Sequence, residues 1–370
     1  MAWLYKRIIA IMHKDRLAKT VPKMCGDVDR LMHKWGGKGN FYPFEDIYNM
    51  VFQLTARISI CQEIADDPVE VAKLRKLFWA FDKSNTASTA LLPWLPQKAR
   101  RTRTETIMSL YQMLLVHLVD RQTTGRREED SMQVLIDAGD STHDIVEFSL
   151  KVLFAGVVNT AVMASWIPYF LAPSPPWKLK AITEVKRILS KYSPAEDSSS
   201  LLSRLSAIPP EAWEEEMPIL DLCLRETIRL IFSTVLLRRN VGTGPGVHVQ
   251  GKQVDSGGFL VYLPTEAHHN PDIFPQPFEF DPGRYARGDG QTHASDFVGW
   301  GAGRHPCLGK RCAKLEVKVI LAMLLARYDF ELIDKHGNSV KKAPEPDRNN
   351  MIQTVPLGDK IFIKYKRTEL

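Results

Sequence analysis

Ten consecutive residues, Trp300-Gly301-Ala302-Gly303-Arg304-His305-Pro306-Cys307-Leu308-Gly309, concentrate the chemistry of this 370-residue chain. The cysteine stands just ahead of an apolar helical pattern from Lys310 to Arg327. Its sulfur therefore meets a helix N-terminus, where partial positive charge favours thiolate over thiol. Gly301, Gly303 and Gly309 let the backbone fold closely around that sulfur and aim N–H groups at it. A thiolate held in this way is what a sulfur ligand of iron requires. Three plainer readings compete. A phosphate-cradling loop lacks a preceding buried strand and the G-x-G-x-x-G spacing. A zinc site from His305, Cys307 and Cys312 lacks a fourth ligand and the usual short cysteine spacing. A purely structural thiol would not need this glycine pattern.

Two further patterns bear on chemistry. Glu226 and Arg229 are three residues apart, so they share one face of the helix expected from Pro218 to about Leu230. The same spacing recurs at Glu184 and Arg187, where a solvated surface pair is the better expectation. Gly156 and Thr160 are i and i+4 on a helix, which lets the threonine hydroxyl bond back to the glycine carbonyl and open the helix locally. Asn159 between them can hydrogen-bond but cannot titrate. Two polar side chains merely satisfied within a helix remain the alternative.

The elements that must position these groups read as follows. From Val152 to Trp177 there are 26 residues without a charge, long enough to cross a bilayer. Asn159, Thr160 and Ser165 in its middle, with four prolines towards its end, favour a buried core helix instead. Ser141 with Asp144 resembles a capping box, placing that helix from about Asp144 to about Ile167. Earlier segments carry helical spacing over Leu4–Leu17, Met24–Trp35, Phe44–Ile60, Val69–Phe81 and Thr104–Arg121, with loops at Gly36–Gly39, Asp67-Pro68 and Leu91–Arg103. A helix from Trp177 to Tyr192 follows. Strand signals come late. Val247–Gln250 and Gly258–Leu263 read as a hairpin, and Ile361–Tyr365 as a closing strand. Hydrophobic residues at 44% and charged residues at 25% describe a globular chain able to bury a sizeable core. The net charge of +6 is mild, and no nucleic-acid groove is expected. Five scattered cysteines do not make a disulfide scaffold, no leader sequence is apparent, and reduced thiols are expected.

The cysteine stretch resembles the cytochrome P450 signature, in which the cysteine of Phe-x-x-Gly-x-x-x-Cys-x-Gly ligates haem iron. Gly301, Gly303, His305, Cys307, Gly309 and Ala313 match, while Trp300 stands where phenylalanine is usual. The resemblance implies that Cys307 is the axial ligand of heme b, and that His305 and Arg238 of Leu237-Arg238-Arg239 reach its propionates. It makes Glu226-Thr227-Ile228-Arg229 the family's E-x-x-R pair, completed by Arg284 of Phe280-Asp281-Pro282-Gly283-Arg284-Tyr285 in a structural role. His268-His269-Asn270-Pro271 also fits. Ala155-Gly156-Val157-Val158-Asn159-Thr160 resembles the oxygen-binding groove, so Gly156, Asn159 and Thr160 are implied as catalytic, although the family usually has Asp or Glu before the threonine. Trp3 and Arg7 match the W-x-x-x-R pair for a propionate. Because that pair lies at the start, an N-terminally truncated member lacking the usual anchor and first sheet is expected.

The implied fold is mainly α with small β-sheets, a single haem-thiolate domain over residues 1–370, helical to about 240 and then hairpin, meander, cysteine loop and last helix. The implied activity is mono-oxygenation of an apolar small molecule, a terpenoid or other secondary metabolite, with NADPH electrons from a cytochrome P450 reductase. The wording of the motifs is most similar to fungal microsomal members, which implies the cytosolic face of the endoplasmic reticulum membrane and a monomer. Leu91-Leu92-Pro93-Trp94-Leu95-Pro96, followed by Lys98, Arg100, Arg101 and Arg103, could border a substrate pocket at a membrane surface or be an ordinary solvated loop. Two alternatives stay open: a non-oxygenating haem-thiolate isomerase or dehydratase, and an inactive haem-binding remnant.

Overall fold

The uncharged run lies at the centre of the molecule. A computed structural model describes residues 2–368 except 93, 194–199, 243, 245, 294, 305, 351 and 352. Its helices are α1 Ala2–Ile11, α2 Lys14–His33, α3 Pro43–Ser59, α4 Gln62–Asp66, α5 Pro68–Ser84, α6 Ala87–Leu91, α7 Lys98–Thr124, α8 Ser131–Asp137, α9 Thr142–Leu171, α10 Pro175–Tyr192, α11 Leu201–Ser206, α12 Pro210–Glu215, α13 Pro218–Ile231, α14 Pro264–His268 and α15 Lys310–Arg327. The strands are β1 Lys38–Phe41, β2 Leu236–Arg239, β3 Val247–Val249, β4 Lys252–Val254, β5 Phe259–Tyr262, β6 Tyr328–Ile333, β7 Ser339–Val340 and β8 Phe362–Arg367. This is the mainly helical architecture with small sheets that the sequence implies.

Helix α9 begins where Ser141 accepts the Asp144 N–H at 3.2 Å and donates its own hydroxyl to Asp144 Oδ2 at 2.6 Å. It is long and apolar enough to cross a membrane, yet it packs against α3, α7, α13 and α15. Two of its buried polar groups are met by protein: Ser165 Oγ donates to the Pro43 carbonyl at 3.0 Å and Trp166 Nε1 to the Thr354 carbonyl at 2.7 Å. Such pairing is what makes a buried polar atom tolerable. The helix runs unbroken through Gly156 and Thr160, so the local opening expected there is not seen. The reason is packing: a Cβ at Gly156 would lie 2.8 Å from Thr55 Cγ2, which presses α9 directly onto α3.

That contact carries a prediction. Gly156→Ala gains about 1 kcal/mol of helix propensity but overpacks the crossing at a cost of about 1–3 kcal/mol. The single variant is therefore expected to be less stable than wild type in urea unfolding. In a Thr55→Ser background, which lacks Cγ2, the same change should become stabilising. Equal effects in both backgrounds would show that the Thr55 methyl is not what excludes alanine.

Several local expectations are corrected. The first two helices divide at Met12-His13, not between Leu17 and Met24, because Pro22 and Gly26 are absorbed within α2. Gly36–Gly39 is not wholly a loop, since Lys38–Phe41 pairs with β8 in the sheet β1-β8-β6-β7. The expected hairpin is split: β3 pairs with the neighbouring β4, whereas β5 pairs with β2. A tight turn at Gln250-Gly251, with φ of 49° and 77°, closes β3 onto β4 before the longer hairpin can form. Glu184 is buried rather than solvated, because its carboxylate caps α13 by accepting the N–H groups of Ile219 at 2.7 Å and Leu220 at 3.0 Å. Arg187 bonds instead to the Glu216 carbonyl at 2.5 Å.

Candidate active site: a cysteine loop, a buried carboxylate and one cavity

Glu226 and Arg229 are drawn together by the helical repeat of α13 and then sealed by the chain that follows. The Arg229 guanidinium donates to both Glu226 oxygens, Nη2 to Oε1 at 2.8 Å and Nε to Oε2 at 2.9 Å. Arg284 Nε donates to Oε1 at 2.9 Å, and all three side chains are at most 1% exposed. Tyr285 OH and the Asp281 N–H complete the carboxylate at 3.0 and 3.1 Å. The outer guanidinium nitrogens hold backbone: Arg229 Nη1 donates to His268 and Pro277 carbonyls at 2.6 Å, and Arg284 Nη1 to the Pro275 carbonyl at 2.8 Å. Three charges buried this deeply are tolerable because nearly every donor is used. The network fixes the stretch from His268 to Tyr285 on α13.

From there the same helix reaches the cysteine loop. Arg225 lies over the rings of Tyr285 and Phe297 at 3.9 and 4.9 Å, and Gly299 approaches so closely that a Cβ would sit 2.3 Å from Ile228 Cγ2. His268, buried beside Phe297, is held neutral with its pKa lowered to about 3 by desolvation, and its Nε2 accepts the Val298 N–H at 3.3 Å. Gly301 and Gly303 then take φ of 75° and 64°, the left-handed region where a side chain is strained. The loop closes with the Cys307 N–H on the Trp300 carbonyl at 2.7 Å.

Of the five cysteines, Cys307 alone is exposed; Cys25, Cys61, Cys223 and Cys312 are buried. Partial desolvation raises its thiol above the ordinary value, although hydrogen bonds from the Gly309 and Lys310 N–H groups and the Lys310 charge pull it back down in part. These N–H groups belong to the start of α15, so the helix end does face the sulfur. Cys307 lines a cavity with ≈ 850 Å³ of free space, part of it open to solvent. Gly156, Asn159 and Thr160 enter its wall from α9, Trp300 from the loop and Glu316 from α15. The wall is mostly apolar, and Asn159 is exposed to it whereas Thr160 is buried.

The donor set fits haem in one respect and resists it in another. An accessible sulfur with N–H groups trained on it, beside a broad apolar cavity, suits a thiolate ligand of haem iron. Trp3, Arg7 and Arg238, which the resemblance assigns to the propionates, are not among the described residues that line this cavity. Trp3 and Arg7 do share a face, but Asp140, in the α8–α9 connection, accepts from Trp3 Nε1 at 2.9 Å, Arg7 Nε at 2.6 Å and Arg7 Nη2 at 2.8 Å, and Arg7 Nη2 also donates to the Ala138 carbonyl at 3.2 Å. Burial opposes ionisation of Asp140, yet these hydrogen bonds hold its carboxyl below the ordinary value. Arg238 projects from the solvent side of β2 and bonds only its neighbour's carbonyl, Leu237 O, at 2.8 Å among the described residues. His305 lies outside the described residues.

Three groups escape the sequence reading. Tyr285 stands within a motif that was recognised, but its bond to Glu226 depends on the 3-10 turn over Pro282–Arg287. Thr55 and Glu316 meet across the cavity at 3.1 Å from helices 261 residues apart in the chain. The available signal is one acid at Glu316 within the buried face of α15.

Residues 5–358 match the family model described as Cytochrome P450. Among curated relatives, Cytochrome P450 monooxygenase AacuE of Aspergillus aculeatus is 29% identical over 98% of this chain and 74% of its own length. Cytochrome P450 monooxygenase dmxR5 of Cryptosporiopsis sp. is 30% identical over 92% of this chain and 68% of its own. Obtusifoliol 14-alpha demethylase of Triticum aestivum is 25% identical over 97% and 77%. Among solved structures, retinoic acid bound cyanobacterial CYP120A1 superposes with a TM-score of 0.76, covering 98% of this chain and 78% of that one at 22% identity, a likeness of fold.

Proposed function

The chain belongs to the cytochrome P450 family and is an oxidoreductase of its monooxygenase kind, and from that premise we propose that it oxygenates an apolar polycyclic small molecule with NADPH electrons passed through a reductase. One observation carries the reading: the accessible Cys307 and the Asn159–Thr160 stretch of α9 line the same apolar cavity. Bound there, haem with a thiolate ligand supplies dioxygen cleavage and one-electron chemistry.

The protein's share is positioning, exclusion of water and proton handling. Cys307 would hold the iron, with the N–H groups of Gly309 and Lys310 stabilising its negative charge. Trp3 and Arg7 already converge on a carboxylate, so the pair suits a propionate once Asp140 gives way. Arg238 and His305 are proposed for the second set of propionate contacts. Apolar walls from Val152, Met163, Leu224 and Phe232 would exclude water and favour a terpenoid- or sterol-like substrate; a sterol 14-demethylase of Arabidopsis thaliana is among the relatives. Gly156 keeps α9 close to α3, and Thr160 and Asn159 would orient hydrogen bonds over the substrate side.

A membrane face is part of the same proposal. Leu91 at 74% and Trp94 at 73% are among the most exposed large apolar side chains, next to the basic start of α7. Together they suit the cytosolic surface of the endoplasmic reticulum membrane.

Expressed with a reductase and NADPH, the protein should add one atom from labelled dioxygen to an apolar polycycle, and NADPH consumption should exceed product because Asn159 cannot titrate. Asn159→Asp should raise product per NADPH by about threefold or more, and Thr160→Ala should divert electrons to hydrogen peroxide. Turnover of a peroxide or oxime without NADPH would favour the isomerase or dehydratase reading, which Asn159 also suits.

A further inference from the structure

A second cavity opens at the C-terminal ends of α9 and α13. It has ≈ 810 Å³ of free space, part of it open to solvent, and its wall includes Phe170 of α9, Leu230 and Ile231 of α13, Phe278, and residues between Ala343 and Arg348. Space of this order is what a small organic molecule occupies. None of its described lining residues belongs to the Cys307 cavity, although Ile228 and Phe232 of that cavity flank Leu230 and Ile231 in the chain. The last turn of α13 is therefore a partition between the two. Apart from Glu345 and Arg348, the side chains lining the second cavity are apolar. Phe170 is held in place by stacking on Phe280 at 4.9 Å, while Phe278, 71% exposed, forms part of the rim.

Arg348 differs from the other guanidiniums placed inside the protein. Arg57, Arg121, Arg229 and Arg284 each meet a carboxylate. Arg348 meets none among the described residues: Nη2 donates to the Leu230 carbonyl at 3.2 Å, at the open end of α13, and Nη1 is buried without a partner. Burial lowers its pKa below the ordinary value, and Glu345, which is itself exposed, opposes this only by attraction from beyond salt-bridge distance. An anion brought to Nη1 would offset that cost. Beside Phe278, with ring centroids 5.2 Å apart, His269 also has a buried Nε2 without a partner. Burial and the nearby Arg348 charge lower its pKa to about 4, so it is neutral at physiological pH and Arg348 is the one cation of the described wall. A single water would satisfy Nη1 but would leave the apolar walls bare.

We propose that this cavity is a second small-molecule site, separate from the one at Cys307, and that it takes a monocarboxylate with an apolar body. The carboxylate accepts from Arg348 Nη1, and the body packs against Phe170, Leu230, Ile231 and Phe278. Glu345 disfavours a second negative charge, which restricts the ligand to one acid group. The site does not depend on the chemistry at Cys307.

Phenylbutyrate, with its neutral amide as the control, titrated into the haem-loaded protein by calorimetry tests this. Wild type should bind the acid at least about tenfold more tightly than the amide. Arg348→Gln should abolish that preference, and Glu345→Gln should tighten the acid alone. Phe278→Ala, a change at an exposed rim position that leaves the Leu230 carbonyl held by Arg348, should weaken both ligands by about threefold or more. Excess phenylbutyrate should raise the Tm of wild type but not of Arg348→Gln, and the haem absorption band should stay where it is. Equal affinity of wild type for acid and amide, no binding at millimolar phenylbutyrate, or an affinity for the acid unchanged in both Phe278→Ala and Glu345→Gln would overturn the site. A haem band that shifts with the same midpoint as the heat would assign the binding to the Cys307 cavity and overturn it as well.

Discussion

Cys307→Ser is expected to leave the fold intact and to reduce oxygenation by on the order of 10³-fold or more, equivalent to at least about 4 kcal/mol of lost transition-state stabilisation. The N–H groups of Gly309 and Lys310 offset part of the desolvation that raises the Cys307 thiol, whereas a serine hydroxyl binds its proton far more tightly than any thiol. It therefore cannot supply the electron-rich sulfur that oxygen–oxygen cleavage needs. Because Cys307 is exposed, the substitution removes little buried surface, and thermal unfolding of the haem-free protein should be nearly unchanged. Cys312→Ser makes the opposite comparison. Its thiol is 5% exposed beside Met12 Sδ at 3.3 Å, so the variant should lose stability while keeping oxygenation. Activity measured per haem in both variants checks the assignment, and turnover that survives in Cys307→Ser would refute it.

Glu226→Ala should be the most destabilising single change in the molecule. It strips the shared acceptor from Arg229 and Arg284 and leaves two guanidiniums buried at 0% and 1% exposure. Breaking such a pair from one side costs about 3–5 kcal/mol, against a net stability of about 5–15 kcal/mol. Glu226→Gln keeps the shape and two acceptor positions fewer than it needs, so it should fall between wild type and alanine. Tyr285→Phe removes one hydrogen bond and should cost about 1 kcal/mol. Because Arg229 also holds the carbonyls of His268, Pro277 and Glu279, loosening this centre should free the segment before the cysteine loop and weaken haem retention. Urea unfolding and haem content report the two effects separately. A Glu226→Ala protein within about 1 kcal/mol of wild type would contradict the structural role given to the network.

The features legible in the sequence are those set by local geometry. The glycines and cysteine at 301–309 lie close in the chain, and their φ values and turn bonds follow from residue type. The Glu226–Arg229 spacing fixes one ion pair through the helical repeat, and the serine cap and apolar run define α9. What was illegible depends on which distant element arrives first. Trp3 and Arg7 share a face as the W-x-x-x-R spacing implies, but the sequence gives no sign that Asp140, more than a hundred residues away, meets them. Glu184 has the same spacing to an arginine as Glu226, but the N-terminus of α13 outcompetes Arg187 for its carboxylate. The expected hairpin of Val247–Gln250 with Gly258–Leu263 does not form because β3 has a nearer partner across Gln250-Gly251, leaving β5 for β2. Glu316 carried no recognisable motif, and its meaning comes only from Thr55 on a helix that folds over it.

The central claim is that Cys307, as a thiolate, ligates haem iron in the cavity beneath α9. The most direct measurement is the absorption spectrum of the haem-loaded protein, reduced and exposed to carbon monoxide, recorded for wild type and Cys307→Ser. A strongly red-shifted Soret band in wild type that disappears in Cys307→Ser and persists in Cys312→Ser is the result this account predicts. A wild-type Soret band at the position given by a nitrogen ligand, or a red-shifted band unchanged in Cys307→Ser, would contradict it.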